Sequence, residues 1–474
     1  MLDRLAIALL LAGLLGCPDA ALDDDDDDDS PPALALAAGV VVDGASLSQG
    51  VQRDLLVDGD VAEDDLPVIA GRDALLRVHY SADADYDGGL VTARLDLGDG
   101  EPIDVQTELD PRSTQEDLDS TLNFRIPGDR VADPLDWSVS VLQPAGTGDA
   151  AATASGSVEV EGAANVLRVV IAPFAYNFDG SGRLPDTSPE QVEAIRQTFL
   201  KVYPVSDVVV TVREPAELQT ELSPNGDGWF LPGFQLLGFR DADGASDDVY
   251  YYGMFNPAET LQGYCGFGGC LLGVTLLNND PPDTGSVNLR IALGVGFTER
   301  ADWVAVHEIG HAHGRPHTPC APPGNIPADI DPGYPVADGS LDRWGWDLVE
   351  DELIPPEYTD FMGYCDDQWS SAYTWRAMHA RGQNVNRGLA AMAPLRTWDV
   401  VAIDRQGAHW GQAITRRGLW DGDDVAVEID GKASAGRYVR WDHMPGGLLV
   451  FPRDGDAPQR ATFTLDGQAY TAQR

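Results

Sequence analysis

An α+β fold is predicted by three observations. Short alternating apolar runs punctuated by Gly, Asp and Pro fill both ends of the chain, a strand–helix–strand pattern occupies its middle, and one central helix carries histidines at metal-ligand spacing. The chain has 474 residues and 43% hydrophobic content, enough to bury more than one core. The folded part therefore divides into three units: a β-sandwich-like domain over 34–162, a mixed α+β domain over 163–397 that carries this helix, and a small β-domain over 398–474.

At the N-terminus, Arg4 precedes an apolar run from Leu5 to Leu15, and Leu14-Leu15-Gly16-Cys17 resembles a bacterial lipoprotein cleavage box. The run is shorter than the ~20 residues a bilayer span needs, so 1–16 is read as a signal peptide and Cys17 as a lipidation site. An ordinary cleaved signal with an incidental Cys17 is the alternative. Residues 17–33 form an acidic tether, because the consecutive aspartates Asp23 to Asp29 repel one another and extend the segment. This places the folded part in the cell envelope or at the cell surface, outside the cytoplasm, touching the membrane through the lipid alone.

In the first domain, Ala74-Leu75-Leu76-Arg77-Val78-His79-Tyr80 and Val91-Thr92-Ala93-Arg94-Leu95-Asp96-Leu97 alternate as half-buried strands do. The second opens with a strand at Val166–Ile171, a helix over about 189–202 and a strand at Val208–Val212. Tyr250-Tyr251-Tyr252 or Gly273-Val274-Thr275-Leu276-Leu277 could supply an edge strand that pairs with an extended substrate, or either could be ordinary sheet. Ser370 or Ser371 can cap a later helix running to about Arg381. Runs such as Val425–Ile429 and Gly447–Phe451 restore the β pattern in the third domain, read as a unit for substrate positioning or cell-surface contact.

The chemistry is concentrated in His307-Glu308-Ile309-Gly310-His311-Ala312-His313-Gly314-Arg315-Pro316-His317. His307 and His311, four apart, project from one helix face and can share a metal ion. Glu308 beside them can take a proton from a metal-bound water without using a coordination position. Gly314 tolerates the left-handed conformation that ends the helix and returns His317 as a third ligand. Three imidazoles plus water make a catalytic zinc site and leave one position open. His313 points elsewhere and is read as a core or supporting histidine. Thr298 is the expected helix cap, with Glu299 and Asp302 near its positive end.

These residues resemble the metzincin zinc metallopeptidases, whose signature is H-E-x-x-H-x-x-G-x-x-H followed by a methionine turn. Thr359-Asp360-Phe361-Met362-Gly363-Tyr364-Cys365 supplies the candidate turn. The resemblance implies that Met362 forms an apolar floor under the zinc, and that Tyr364 approaches the metal or stabilises the oxyanion. It also implies a mixed sheet above the active-site helix.

Four cysteines lie beyond Cys17. Cys320 and Cys365 follow the third ligand and the tyrosine and are expected to bond, clamping the turn against the ligand loop. Cys265 and Cys270 are expected to close a small second loop, as secreted chains favour disulfides. Taken together, the pattern looks closest to secreted bacterial metzincins that include mucin-degrading enzymes.

The balance of 77 Asp and Glu against 31 Lys and Arg, a net charge of -46, speaks against nucleic acid as a partner, since phosphate binding needs a basic footprint. Asp241-Ala242-Asp243-Gly244 and Asn225-Gly226-Asp227-Gly228 could hold Ca2+, although tight turns explain both. The resulting expectation is a monomeric zinc endopeptidase acting on extracellular proteins or glycoproteins. The alternative is a lipid-anchored adhesin or glycan-binding protein whose zinc site is structural or degenerate.

Overall fold

A computed structural model describes residues 33–474 apart from 99, 145–147, 149, 162–164, 267, 268, 278–288, 322–329, 387–394, 417–419 and 421. The signal peptide, Cys17 and the aspartate run lie outside the described residues. Strand predominates over helix, 42% against 16%, in a mixed α+β architecture.

Two five-stranded antiparallel sheets come first. One orders its strands Leu34–Leu36, Leu135–Pro144, Val91–Asp96, Ile103–Thr107, with Thr153–Val158 also on Leu135–Pro144. The other runs Asp60–Val61, Gln52–Val57, Val40–Ser48, Ala74–Ala82, Leu122–Ile126. Alternation in Leu135–Pro144 is strict, every second residue buried, and the inward side chains of both sheets meet in one core around Phe124 and Trp137.

The central sheet orders Asp207–Val212, Val166–Ala175, Val249–Phe255, Ile291–Val295 and Gly273–Thr275, the last strand antiparallel to its neighbour and the others parallel. Tyr250–Tyr252 therefore sits in the middle of the sheet, not at its edge. That strand is buried almost throughout, as parallel strands covered on both faces are. Gly273–Thr275 is the edge strand. Among the described residues five α-helices accompany the sheet: α1 (Pro189–Val202), α2 (Phe230–Ala242), α3 (Leu261–Cys265), α4 (Ala301–Ala312) and α5 (Ala372–Asn386). Ser188 caps α1 through its side chain, Pro189 takes the first helical position, and Ser371 Oγ accepts from Thr374 N at 3.1 Å at the start of α5.

Beyond it lies an eight-stranded, nearly closed sheet spanning Arg396–Asp404 to Gln468–Gln473. It does not stand apart from the central domain. One core joins Phe174, Trp229 and Leu236 to Trp398, Trp441 and Leu448, so the two sheets bury their apolar faces against the same side chains.

Candidate metal centre

α4 is buried nearly all round, its stretch from Val304 to Ala312 sparing only His307 from full burial. The expected Thr298 cap is absent: the cap position is Arg300, without a side-chain cap bond, and only Asp302 falls in the first turn. Thr298 and Glu299 instead belong to the turn entering the helix, where Ala301 N donates to Phe297 O at 2.8 Å. At the other end Gly314 has φ 91°, and Gly314 N and Arg315 N donate to His311 O and Gly310 O at 2.9 and 3.0 Å. This left-handed turn releases the chain to bring His317 back.

Two of the three ring orientations are fixed by their remote nitrogens. His307 Nδ1 donates to Phe361 O at 2.8 Å and His311 Nδ1 to Arg315 O at 2.6 Å. A neutral imidazole with its proton on Nδ1 presents a lone pair on Nε2. His311 Nε2 stands 3.1 Å from both His307 Nε2 and His317 Nε2. The lone pairs of His307 and His311 facing one another repel unless a cation stands among the three rings, and ~2.0–2.1 Å tetrahedral bonds would separate the nitrogens by about 3.3 Å. The donor set fits a divalent ion such as zinc. Burial pushes the His307 imidazolium down to about 3 and that of His311 well below its ordinary value, with the neighbouring rings adding to the effect. Both are therefore neutral, as metal ligands must be.

His313 is excluded from this cluster. Its Nδ1 meets Tyr250 OH at 2.7 Å and its Nε2 meets Met378 O at 3.1 Å, which makes it a core histidine. Met362 lies fully buried beneath α4, so close that a Cβ on Gly310 would stand 2.5 Å from its Sδ. Asp360 holds this turn, its carboxylate accepting from Met362 N at 3.0 Å and from Ser371 N and Oγ at 3.0 and 2.5 Å. Both cysteine pairs form, Cys320 with Cys365 and Cys265 with Cys270. The Cys320–Cys365 loop is stitched to the ligand segment by Tyr364 N to Cys320 O at 2.8 Å and Thr318 N to Met362 O at 3.1 Å. The Tyr364 hydroxyl reaches His317 Nε2 at 3.1 Å.

Glu308 is buried, and burial pushes its carboxyl well above the usual range. The edge strand comes so near that a Cβ on Gly273 would stand 2.3 Å from Glu308 Oε1. Oε2 meets no hydrogen-bond donor among the described residues. Beside it opens a cleft of about 770 Å³ whose lining includes Cys270–Gly273, Gly363–Asp366, His307, Glu308 and His443.

Two members of the site escaped sequence reasoning. Asp442 and His443 lie at a hairpin tip between strands Lys432–Arg440 and Gly447–Pro452 of the C-terminal sheet. His443 Nε2 lies 3.2 Å from Glu308 Oε1 and 3.1 Å from Asp442 Oδ2, and its Nδ1 contacts Tyr364 OH. Asp442, fully buried, comes 3.5 Å from His311 Nε2. The only signal in the sequence was the pair itself, acid beside histidine in a Gly- and Pro-containing turn. Among the described residues, the groups able to hold an ion are His307, His311, His317 with His443, and Glu308, Asp442 with His443. The suggested calcium loops are not among them: Asp243 is paired with Arg213 at 2.8 Å, and the loop at 225–228 closes as a turn through Gly226 N to Ser223 O at 3.1 Å.

No protein-family model matches the chain, and no curated protein matches it significantly.

Proposed function

We propose that the chain is a zinc-dependent endopeptidase of the metzincin type, acting on extracellular proteins or glycoproteins from a lipid anchor at Cys17. The observation that carries this reading is the convergence of three imidazole Nε2 atoms beside the buried Glu308 carboxyl, with His307 and Glu308 lining an open cleft. A bound zinc ion would act as a Lewis acid and lower the pKa of a coordinated water to about 7. His307, His311 and His317 would hold it. Glu308 serves as general base, its raised proton affinity suiting it to take a proton and pass it to the leaving amine. Tyr364 OH, at the rim of the cluster, donates to the developing oxyanion. The two disulfides accord with an oxidising compartment outside the cytoplasm. Among the described residues no helix is long and apolar enough to cross a membrane.

One observation favours a second reading, a surface adhesin or glycan-binding protein with a structural metal site: His443 brings a fourth ring to the cluster. Metal analysis with a chelator-sensitive cleavage assay on unfolded protein and mucin separates the two. Glu308→Gln should keep its zinc and lose cleavage. Absence of chelator-sensitive cleavage, both in the whole chain and in one with His443 replaced, overturns the peptidase reading.

A further inference from the structure

The tip carrying Asp442 and His443 is seated where two things the cleft needs would otherwise be free. The first is the sheet edge. Leu277 N donates to Arg440 O at 2.9 Å, Asp442 N to Thr275 O at 3.1 Å, and Thr275 N to Asp442 Oδ1 at 2.9 Å, with Leu276 and Trp441 paired antiparallel between them. An extended substrate adding to this edge would use the same backbone groups. The segment runs from Arg440 toward the metal cluster, as a bound peptide strand would.

The second is the open side of the ion. The six distances between ring centres of His307, His311, His317 and His443 all fall between 4.4 and 5.5 Å. Four imidazoles around one ion with ~2.0–2.1 Å bonds place their ring centres about 5 Å apart. The tautomer of His443 agrees. With Glu308 and Asp442 ionised, both only accept, so the Nε2 facing them would carry the proton and Nδ1 the lone pair. That Nδ1 faces the Tyr364 hydroxyl, which also touches His317 Nε2. A ligand histidine whose other nitrogen donates to a carboxylate is the ordinary way such a ring is oriented.

We infer that this hairpin tip closes the metal centre: His443 Nδ1 is a fourth ligand positioned by Asp442, and Arg440–Asp442 occupy the substrate edge, so the resting chain is latent until the tip moves. The coordination half stands alone, while the latency half rests on the peptidase reading.

The test uses the whole chain loaded with Co2+, whose visible absorption reports coordination, titrated with acetohydroxamate. In the unaltered protein the spectrum should not respond, because no position is exchangeable. His443→Ala should keep its cobalt, respond to acetohydroxamate, and raise cleavage of an unfolded protein about tenfold or more. A response from the unaltered protein overturns the fourth-ligand assignment, and this arm needs no variant to fold. Weaker cleavage by His443→Ala with metal retained overturns latency and makes His443 a helper of catalysis. A His443→Ala protein that gains acetohydroxamate binding yet cleaves nothing supports closure and sinks the peptidase reading instead.

Discussion

Two glycines show how tightly the centre is built at the residue scale. Gly310 faces fully buried Met362, and Gly273 faces Glu308, at separations no Cβ tolerates. Gly310→Ala should cost about 1–3 kcal/mol of stability by overpacking, read from denaturant unfolding. Gly273→Ala should act differently, displacing the Glu308 carboxylate and lowering cleavage in a His443→Ala background more than it lowers stability. An unchanged turnover would separate the edge strand from the base. In the same background Tyr364→Phe should lose about 10²-fold in kcat, less than Glu308→Ala. The histidines and Glu308 were legible because a helix and its terminating glycine place them within eleven residues of sequence. Asp442 and His443 were not, since nothing periodic or local ties a hairpin tip to a helix more than a hundred residues earlier.

Elements carry the next layer. The pattern of apolar runs gave the strands and α1 with little error, because burial alternates locally. Sheet order was harder: Tyr250–Tyr252 could be edge or centre by composition, and only the pairing of its strand with Val166–Ala175 and Ile291–Val295 decides it. The helix start at Ala301 was misread because Thr298 has a capping side chain but the wrong place in the turn. The Cys320–Cys365 bridge closes a 45-residue separation, for which loop entropy gives about 4 kcal/mol. Replacing both cysteines with serine should lower the unfolding free energy by that order. Met362 and Tyr364 hang on the same loop, so cleavage should also become more heat-sensitive than the remaining fold. If activity and fold were lost together, the bridge would not be a local clamp.

For the whole molecule, the first unit is bound to the central one by buried polar contacts as well as by a shared apolar cluster of Val51, Leu66 and Ile69 with Ala372 and Trp375. Asp64 of the first domain accepts from Arg343 at 2.6 Å and from the backbone of Asp54 and Leu66, each at 3.0 Å. Burial pushes its carboxyl up, but the two backbone donors and Arg343 together outweigh that and hold it below its ordinary 3.8. With the folded value depressed, the contribution is complete above 3.8 and is lost as pH falls through the lower folded value. Asp64→Asn should therefore be less stable near neutrality and lose less on acidification, followed as Tm from about pH 6 to about pH 2. Parallel profiles for the two proteins would exclude the link. Arg72, also from the first domain and 1% exposed, sends its guanidinium into the end of α1, donating to Leu200 O, Tyr203 O and Val205 O at 2.5, 3.1 and 2.8 Å. It supplies the cation and the donors that a helix C-terminus otherwise takes from its own last turn. A gene fragment beginning after residue 162 would encode a helix whose terminal carbonyls have lost their partner. This chain is consequently a poor source of interchangeable parts: recombination at its apparent boundaries would sever a bond network that crosses them.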